Sequence, residues 1–296
     1  MHFELKMVTF FGTSPRSAKF LEQAIQNGLL VNLVISAPPK STGKKRVLTE
    51  NPTATAAKKL NISSILNLSD LSNLSDLSLG LILDFNKIIP DEIINLFSKG
   101  IINIHFSKLP QYRGPAPVQY TILNGDKEAW ITYYFINENL DEGQILTQTS
   151  LALDLTEDTE ILYQKLITKA SREIPAVIGN YLSGKIQPRQ QEGISSPTKK
   201  LTTENSKIDW TKSPFKIEHL IRAAYPEPTA WTSVEIPANS AGRRSKSVGI
   251  QKLLRLKVLS AHLEQGKLII DRVQLEGKNP VTWKQFQEGH PSFSLS

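Results

Sequence analysis

Apolar runs separated by turn signals lay out an alternating strand–helix chain over the first two thirds of this sequence. Lys6–Phe11 reads as a strand, closed by the turn Gly12-Thr13-Ser14-Pro15. Ser14 is placed to cap a helix with Pro15 at its first position. Ala18, Leu21, Ala24 and Ile25 then recur at helical spacing. Leu29–Ile35 is an almost unbroken apolar run, the pattern of a strand buried on both faces. Strand, helix and strand in that order predict a parallel sheet with right-handed crossovers. Asn51–Leu60 predicts a short helix, Ile62–Leu66 a short strand and Leu79–Phe85 another buried strand. Between the last two, the near-repeat at 67–78 reads as a surface connection with at most a ragged helical turn. Pro90-Asp91-Glu92 opens a helix to Phe97, its acids at the positive end of the dipole.

Further along, the pattern predicts a helix at Ala116–Leu123, an aromatic strand at Ala129–Asn137 and a strand at Gln144–Leu153. The longest helix is Asp158–Leu182, with Ile161, Leu162, Leu166, Ile167, Ile174, Val177, Ile178 and Tyr181 in its buried stripe. Ser183–Asn205 is polar and aperiodic and reads as a linker. Beyond it come a helix at Pro214–Ala224, strands at Thr229–Ile236, Val248–Ser260 and Lys267–Leu275, and a short helix at Thr282–Phe286. The expected architecture is an α/β, Rossmann-like domain with a parallel-type sheet over 1–184, a linker over 185–205, and a smaller OB-like β-barrel over 206–296.

Composition narrows this picture. No stretch approaches the ~18 apolar residues of a membrane helix, and the N-terminal residues carry no secretory pattern. The absence of cysteine excludes disulfides, thiolate metal sites and a cysteine nucleophile, and fits a cytoplasmic protein. The net charge of +7 is unevenly spread: residues 205–296 carry 14 Lys and Arg against 8 Asp and Glu, a net of +6. Such concentration is an electrostatic footprint of nucleic-acid binding. Residues 37–51 read as a loop bearing Lys40, Lys44, Lys45 and Arg46 with no acid before Glu50, suited to phosphates. Arg243, Arg244 and Lys246 form a second basic cluster. The single Gly12 is no dinucleotide fingerprint, and Gly43-Lys44-Lys45 lacks the upstream glycine of a P-loop.

The candidate chemistry lies between Gly100 and Gly114. Ile101 and Ile102 begin a buried strand, and Asn103 and His105, two residues apart, share one face of it where it runs into a loop. Open α/β sheets put their chemistry at such strand ends. Asp141, in the loop Asn139–Gly143, is the acid that neighbouring loops at one sheet edge could bring to the pair. Ser107 sits in no Gly-x-Ser-x-Gly elbow, and one His with one Asp is a poor metal site. What remains is acyl or formyl transfer in which the substrate's own amine attacks. Asn103 would donate to the developing oxyanion, His105 would stabilise that charge and move a proton, and Asp141 would orient or tune His105. Taken as residue types alone, all three also fit purely structural roles.

The segments N-I-H-F-S-K-L-P-Q-Y-R-G-P-A-P-V-Q and L-D-E-G-Q-I-L resemble the folate-dependent formyltransferases, closest to their methionyl-tRNA formyltransferase branch. The opening V-T-F-F-G-T-S and the loop ending G-K-K are similar to that family too. So are K-I-D-W, I-R-A-A-Y-P-E-P-T-A-W and V-Q-L-E-G-K-N-P-V-T-W-K-Q-F beyond residue 206. The resemblance implies a formyltransferase domain followed by a tRNA-binding one. The activity it implies is transfer of formyl from 10-formyltetrahydrofolate, as co-substrate and without a metal, to methionyl initiator tRNA. It carries the catalytic roles onto Asn103, His105 and Asp141. It places the folate-contacting Ser-Leu-Leu-Pro loop on Ser107, Lys108, Leu109 and Pro110, with a lysine in second position that should sit outward or near the folate tail. Asn86 stands where the family has a glycine, and Gln144 where it has an acid. Lys40, Lys44, Lys45, Arg46, Arg243 and Arg244 would hold the tRNA. The expected enzyme is a cytoplasmic monomer without membrane contact. Two rivals remain open: a formyltransferase for an amino-sugar nucleotide, which needs no basic segments, and a non-catalytic tRNA-binding relative.

Overall fold

The computed structural model describes residues 7–42, 46–75, 77–237 and 251–290. The chain divides into two compact units. The first comprises Met1–Pro117, Glu128–Ala152 and Tyr163–Thr198; the second comprises Val118–Lys127, Leu153–Leu162 and Lys199–Ser296. Among the described residues no helix is long and apolar enough to cross a membrane.

The first unit opens with β1 (Val8–Phe11), α1 (Pro15–Gln26) and β2 (Val31–Ile35). Ser14 caps α1 by accepting from the amides of Arg16 and Ser17, with Pro15 in the first turn; such a cap stabilises a helix by about 1 kcal/mol. Then come β3 (Lys40–Thr42), β4 (Val47–Thr49), α2 (Pro52–Lys59), β5 (Ser63–Ile65) and β6 (Leu79–Ile82). The loop expected over 37–51 is in part a hairpin, β3 pairing antiparallel with β4. The Asn67–Ser78 repeat carries a short 3-10 helix at Leu68–Asn73, anchored by the buried Leu71. After α3 (Asp91–Ile94) the chain continues with β7 (Ile101–His105), β8 (Gln111–Arg113), α4 (Pro117–Leu123, which after Pro117 counts with the second unit), β9 (Glu128–Phe135), β10 (Ile145–Ala152), α5 (Thr159–Leu182, in the first unit from Tyr163) and β11 (Ser196–Pro197).

Seven strands form the central sheet in the order β10-β9-β7-β6-β1-β2-β5. The run from β7 to β5 is parallel, as the βαβ pattern predicts, while β9 and β10 add antiparallel at one edge. Phe10, Phe11, Leu81 and Ile101 are fully buried in it. Side chains of this size each contribute about 1.5–3 kcal/mol on burial, which is why apolar residues dominate the central parallel strands. The expected linker begins differently from a free tether. Arg189 bridges Ile145, and β11 pairs with β8.

The second unit carries α6 (Pro214–Ala224), β12 (Trp231–Pro237), β13 (Gln251–Glu264), β14 (Lys267–Leu275), β15 (Val281–Thr282) and α7 (Trp283–Gly289). The strands make an antiparallel sheet in chain order. Its core joins Ile217 and Ile221 of α6 to Val234, Leu256, Val258 and Val273. The strand-rich unit expected from sequence takes this form; among the described residues β12 and β15 are edges of an open sheet.

Candidate active site

At the carboxyl ends of β6 and β7 the first unit encloses a cavity of ≈ 630 Å³, lined by Asn103, His105, Tyr134 and Asp141 together with the segments 82–89 and 136–140. This is the crevice position where open α/β sheets bind ligands. Asn103 and His105 share the face that their spacing predicts, at the end of β7. Asp141 arrives on the β9–β10 loop. Gly143 makes that approach feasible, because a Cβ there would lie 1.6 Å from the Phe135 carbonyl oxygen.

Hydrogen bonds join two of the three expected residues, Asn103 and Asp141, through a fourth, Tyr134, that sequence reasoning missed. Asn103 Nδ2 donates to Tyr134 Oη at 2.9 Å, and Tyr134 Oη donates to Asp141 Oδ1 at 2.6 Å. The other carboxylate oxygen accepts from the Gly114 amide at 2.6 Å. Gly114 has φ +102, and a Cβ there would press on the Thr198 carbonyl at 3.0 Å. Burial pushes the Tyr134 phenol well above the ordinary tyrosine range, and the adjacent Asp141 carboxylate adds to the effect. Tyr134 therefore keeps its proton and donates it to the carboxylate.

His105 is buried, 7% exposed, as is Asp141. Its Nε2 lies 2.9 Å from the Tyr112 carbonyl oxygen. A carbonyl only accepts, so Nε2 bears the hydrogen. Nδ1 faces Asp141 Oδ2 at 3.8 Å, close enough for charge attraction and too long for a hydrogen bond. The neutral tautomer thus presents an unprotonated Nδ1.

The Ser107–Pro110 loop is fastened by hydrogen bonds of its own. None of its four residues lines the cavity. Ser107, Leu109 and Pro110 are buried. Ser107 Oγ donates to the Gln111 carbonyl, and Thr132 Oγ1 bonds the main chain of both Ser107 and Leu109. These bonds fix the chain that follows His105, and its motif does not reveal them. Lys108 points outward, its Nζ 4.3 Å from the Trp130 ring centroid. The cavity walls come instead from apolar residues such as Leu83, Phe85 and Ile136, with Asn86 among them. Gln144 is exposed and bonds β9 through its main chain.

A second unforeseen residue is Gln191, from the expected linker. Its Nε2 donates to the carbonyls of Asp141 and Gly143 at 2.8 and 2.9 Å, while its Oε1 accepts from Arg113. Tyr134 had a faint signal, standing seven residues before Asp141 on an aromatic strand; Gln191 had none. Of the expected tRNA contacts, Lys40 is exposed on β3 and Arg46 is exposed beside the start of β4. Lys44, Lys45, Arg243 and Arg244 lie outside the described residues.

Comparison with known proteins gives the same direction. The formyl transferase family matches residues 5–178, and the formyl transferase C-terminal domain matches 200–291. A methionyl-tRNA formyltransferase of Enterococcus faecalis is 30% identical over 95% of this chain and 95% of its own length. One from Thermodesulfovibrio yellowstonii is 30% identical over 97% and 99%. In fold, the chain is similar to the methionyl-tRNA formyltransferase of Clostridium thermocellum, with a TM-score of 0.55 and 21% identity over 91% of this chain and 97% of that one. It is also similar to an N-formyltransferase of Helicobacter canadensis, solved with folinic acid and dTDP-3-aminofucose. There the TM-score is 0.64 and the identity 19%, over 93% of this chain and 98% of that one. With both family matches in place, covering the catalytic-type cavity and the antiparallel unit beyond it, this chain belongs to the formyl transferase family.

Proposed function

We propose that this chain transfers a formyl group from 10-formyltetrahydrofolate to the α-amine of methionine on initiator tRNA, supplying translation initiation. The observation that carries the reading is the set on the cavity wall: an amide donor, an imidazole and a buried carboxylate, with no side-chain nucleophile among them. Ser107, the neighbouring hydroxyl, is committed to the Gln111 carbonyl. An attacking group must then come from the substrate. The relatives that are 30% identical along nearly the whole chain are methionyl-tRNA formyltransferases.

The cavity fits the folate. Its ≈ 630 Å³ lies within the range for drug-sized ligands, and Leu83, Phe85 and Ile136 offer apolar walls to a flat heterocycle. When bound, 10-formyltetrahydrofolate supplies the electrophilic formyl carbon. Asn103 gives one amide hydrogen to Tyr134 and keeps a second for the formyl oxygen as charge develops there. His105 Nδ1 takes the proton from the amine as the new C–N bond forms and returns it to the folate nitrogen as the old one breaks. Asp141 steadies the imidazolium between those two steps. In this scheme His105 acts through Nδ1 as a proton carrier rather than as a donor to the oxygen. Lys40, Lys44, Lys45 and Arg46, with Arg243 and Arg244 in the second unit, hold tRNA phosphates. The reading includes a monomer working in the cytoplasm.

The test offers the protein 10-formyltetrahydrofolate with methionyl initiator tRNA or with an amino-sugar nucleotide. Formylation of the charged tRNA is expected. Reaction of the sugar nucleotide alone overturns the acceptor assignment, and no transfer to either overturns the activity.

A further inference from the structure

Tyr134 stands directly opposite Asn103 in the antiparallel β7–β9 pair, so the two side chains project from the same face of the sheet. Its ring sits edge-on to His105, with centroids 6.4 Å apart and an interplanar angle of 90°. Only 2% of its surface is exposed. The hydroxyl owns one proton, and a carboxylate can only accept. The 2.6 Å contact to Asp141 therefore consumes that proton, and the phenol oxygen must accept from its other neighbour. That requirement turns the NH2 end of Asn103, and not its carbonyl, towards Tyr134. A flipped amide would set two acceptors face to face in a buried site, an arrangement that forfeits a hydrogen bond.

We propose that Tyr134 is a positioning residue for formyl transfer: its hydroxyl, bridging Asn103 Nδ2 and Asp141 Oδ1, locks the orientation of the amide and couples it to the carboxylate beside His105. The inference rests on the proposed function. It concerns a cavity-lining group whose hydroxyl is taken up by Asn103 and Asp141 and which acts through those two. Without the hydroxyl, Asn103 is free to flip, and the donor needed at the formyl oxygen is present for only part of the time. Binding of either substrate uses other contacts and is unaffected.

The test is a double-mutant cycle in steady-state formylation of methionyl initiator tRNA, with Tyr134→Phe, Asn103→Ala and the double variant. Tyr133→Phe serves as control. Tyr133 is equally buried on the neighbouring strand position, but its hydroxyl serves Glu173. Tyr134→Phe is expected to lower kcat by about tenfold or more, with both KM values within about threefold. In the Asn103→Ala background the same change should cost less than about threefold, because its target is already gone. Tyr133→Phe should keep wild-type kcat. The inference is overturned if kcat of Tyr134→Phe stays within threefold of wild type, if its loss is equal in both backgrounds, or if Tyr133→Phe loses as much. Should the wild-type protein leave the charged tRNA unformylated, the proposed function fails separately. The cycle is then read in urea unfolding, where coupling above about threefold in the unfolding constant supports the bridge and additivity overturns it.

Discussion

Replacing Asp141 by asparagine removes a charge while nearly preserving shape, and the structure sets the size of the effect. Asp141 Oδ2 lies 3.8 Å from His105 Nδ1, and both side chains are more than nine-tenths buried. If His105 carries the proton between amine and folate nitrogen, an imidazolium exists beside that carboxylate during the reaction. At an effective dielectric of about 20, a unit charge pair at that separation attracts by about 4 kcal/mol. Each ~1.4 kcal/mol is a factor of ten in rate, so Asp141→Asn should lower kcat about 10²–10³-fold. The KM values should stay within about threefold, since the lost interaction belongs to the transition state. The change also meets two donors, Tyr134 Oη and the Gly114 amide, where only one acceptor oxygen remains. One charge-assisted hydrogen bond is lost, which costs about 1.5–3 kcal/mol of folding stability. The assay is formylation of methionyl initiator tRNA with both substrates saturating, alongside the thermal midpoint of each protein. A variant with lowered midpoint but kcat within tenfold of wild type would refute the charge argument and leave Asp141 a scaffold residue.

Gln191→Ala should lower kcat by about tenfold and lower stability by about 1–3 kcal/mol, because two carbonyl acceptors of the Asp141 loop lose their donor; kinetics and urea unfolding check it together. Lys108→Ala should leave KM for the folate within about twofold, as the side chain lies on Trp130 away from the cavity, and should alter tryptophan fluorescence. Burial raises the phenols of Tyr133 and Tyr134 above their unfolded value of 10.0. Their protonated forms favour the folded state fully below about pH 10. As pH rises above that, the unfolded chain ionises first, and stability should fall by about 1.4 kcal/mol per pH unit per tyrosine. Tyr133→Phe should flatten that fall in urea midpoints measured between pH 9 and 11.5.

Period-two patterning made Asn103 and His105 legible as a pair on one face of a strand end, and the family resemblance raised that pair above a structural reading. Asp141 was open to chain order as the acid of a neighbouring loop, and the resemblance carried the catalytic role onto it. Tyr134 needed the register of β9 on β7, and its neighbourhood, Tyr133-Tyr134-Phe135, carries no alternation from which a face can be read. The parallel-type sheet expected from sequence does not tell the direction of each edge strand, and the antiparallel arrival of β9 is what lays Tyr134 against Asn103. The Ser107–Pro110 loop shows the converse. The family resemblance assigned it a folate contact, whereas the bonds that fasten its main chain to Thr132 and Gln148 appear only in the structure. Loop ligation by Thr and Gln side chains leaves no pattern in sequence. The hairpin β3–β4 was hidden for a related reason, since its short strands are largely exposed and polar.

Segment 189–198 brings these threads together. Tyr112 and Asp141 both adopt left-handed backbone, with φ of 57° and 55°. For residues other than glycine this costs of order 1 kcal/mol each and persists only where surrounding bonds over-determine it. Those bonds come from one stretch of chain. The Tyr112 amide donates to Ser196 Oγ, the Thr198 amide to the Arg113 carbonyl, and Gln191 to the Asp141 carbonyl. Tyr112 in this conformation aims its carbonyl at His105 Nε2 and so selects the tautomer, while Asp141 in its conformation sets the carboxylate against Tyr134 and Gly114. The polar, aperiodic composition that reads as a tether is what such a strap requires. Its hydroxyls and amides bond main chain at irregular intervals, and a periodic apolar face would have packed into the core instead of spanning the two loops that hold the site.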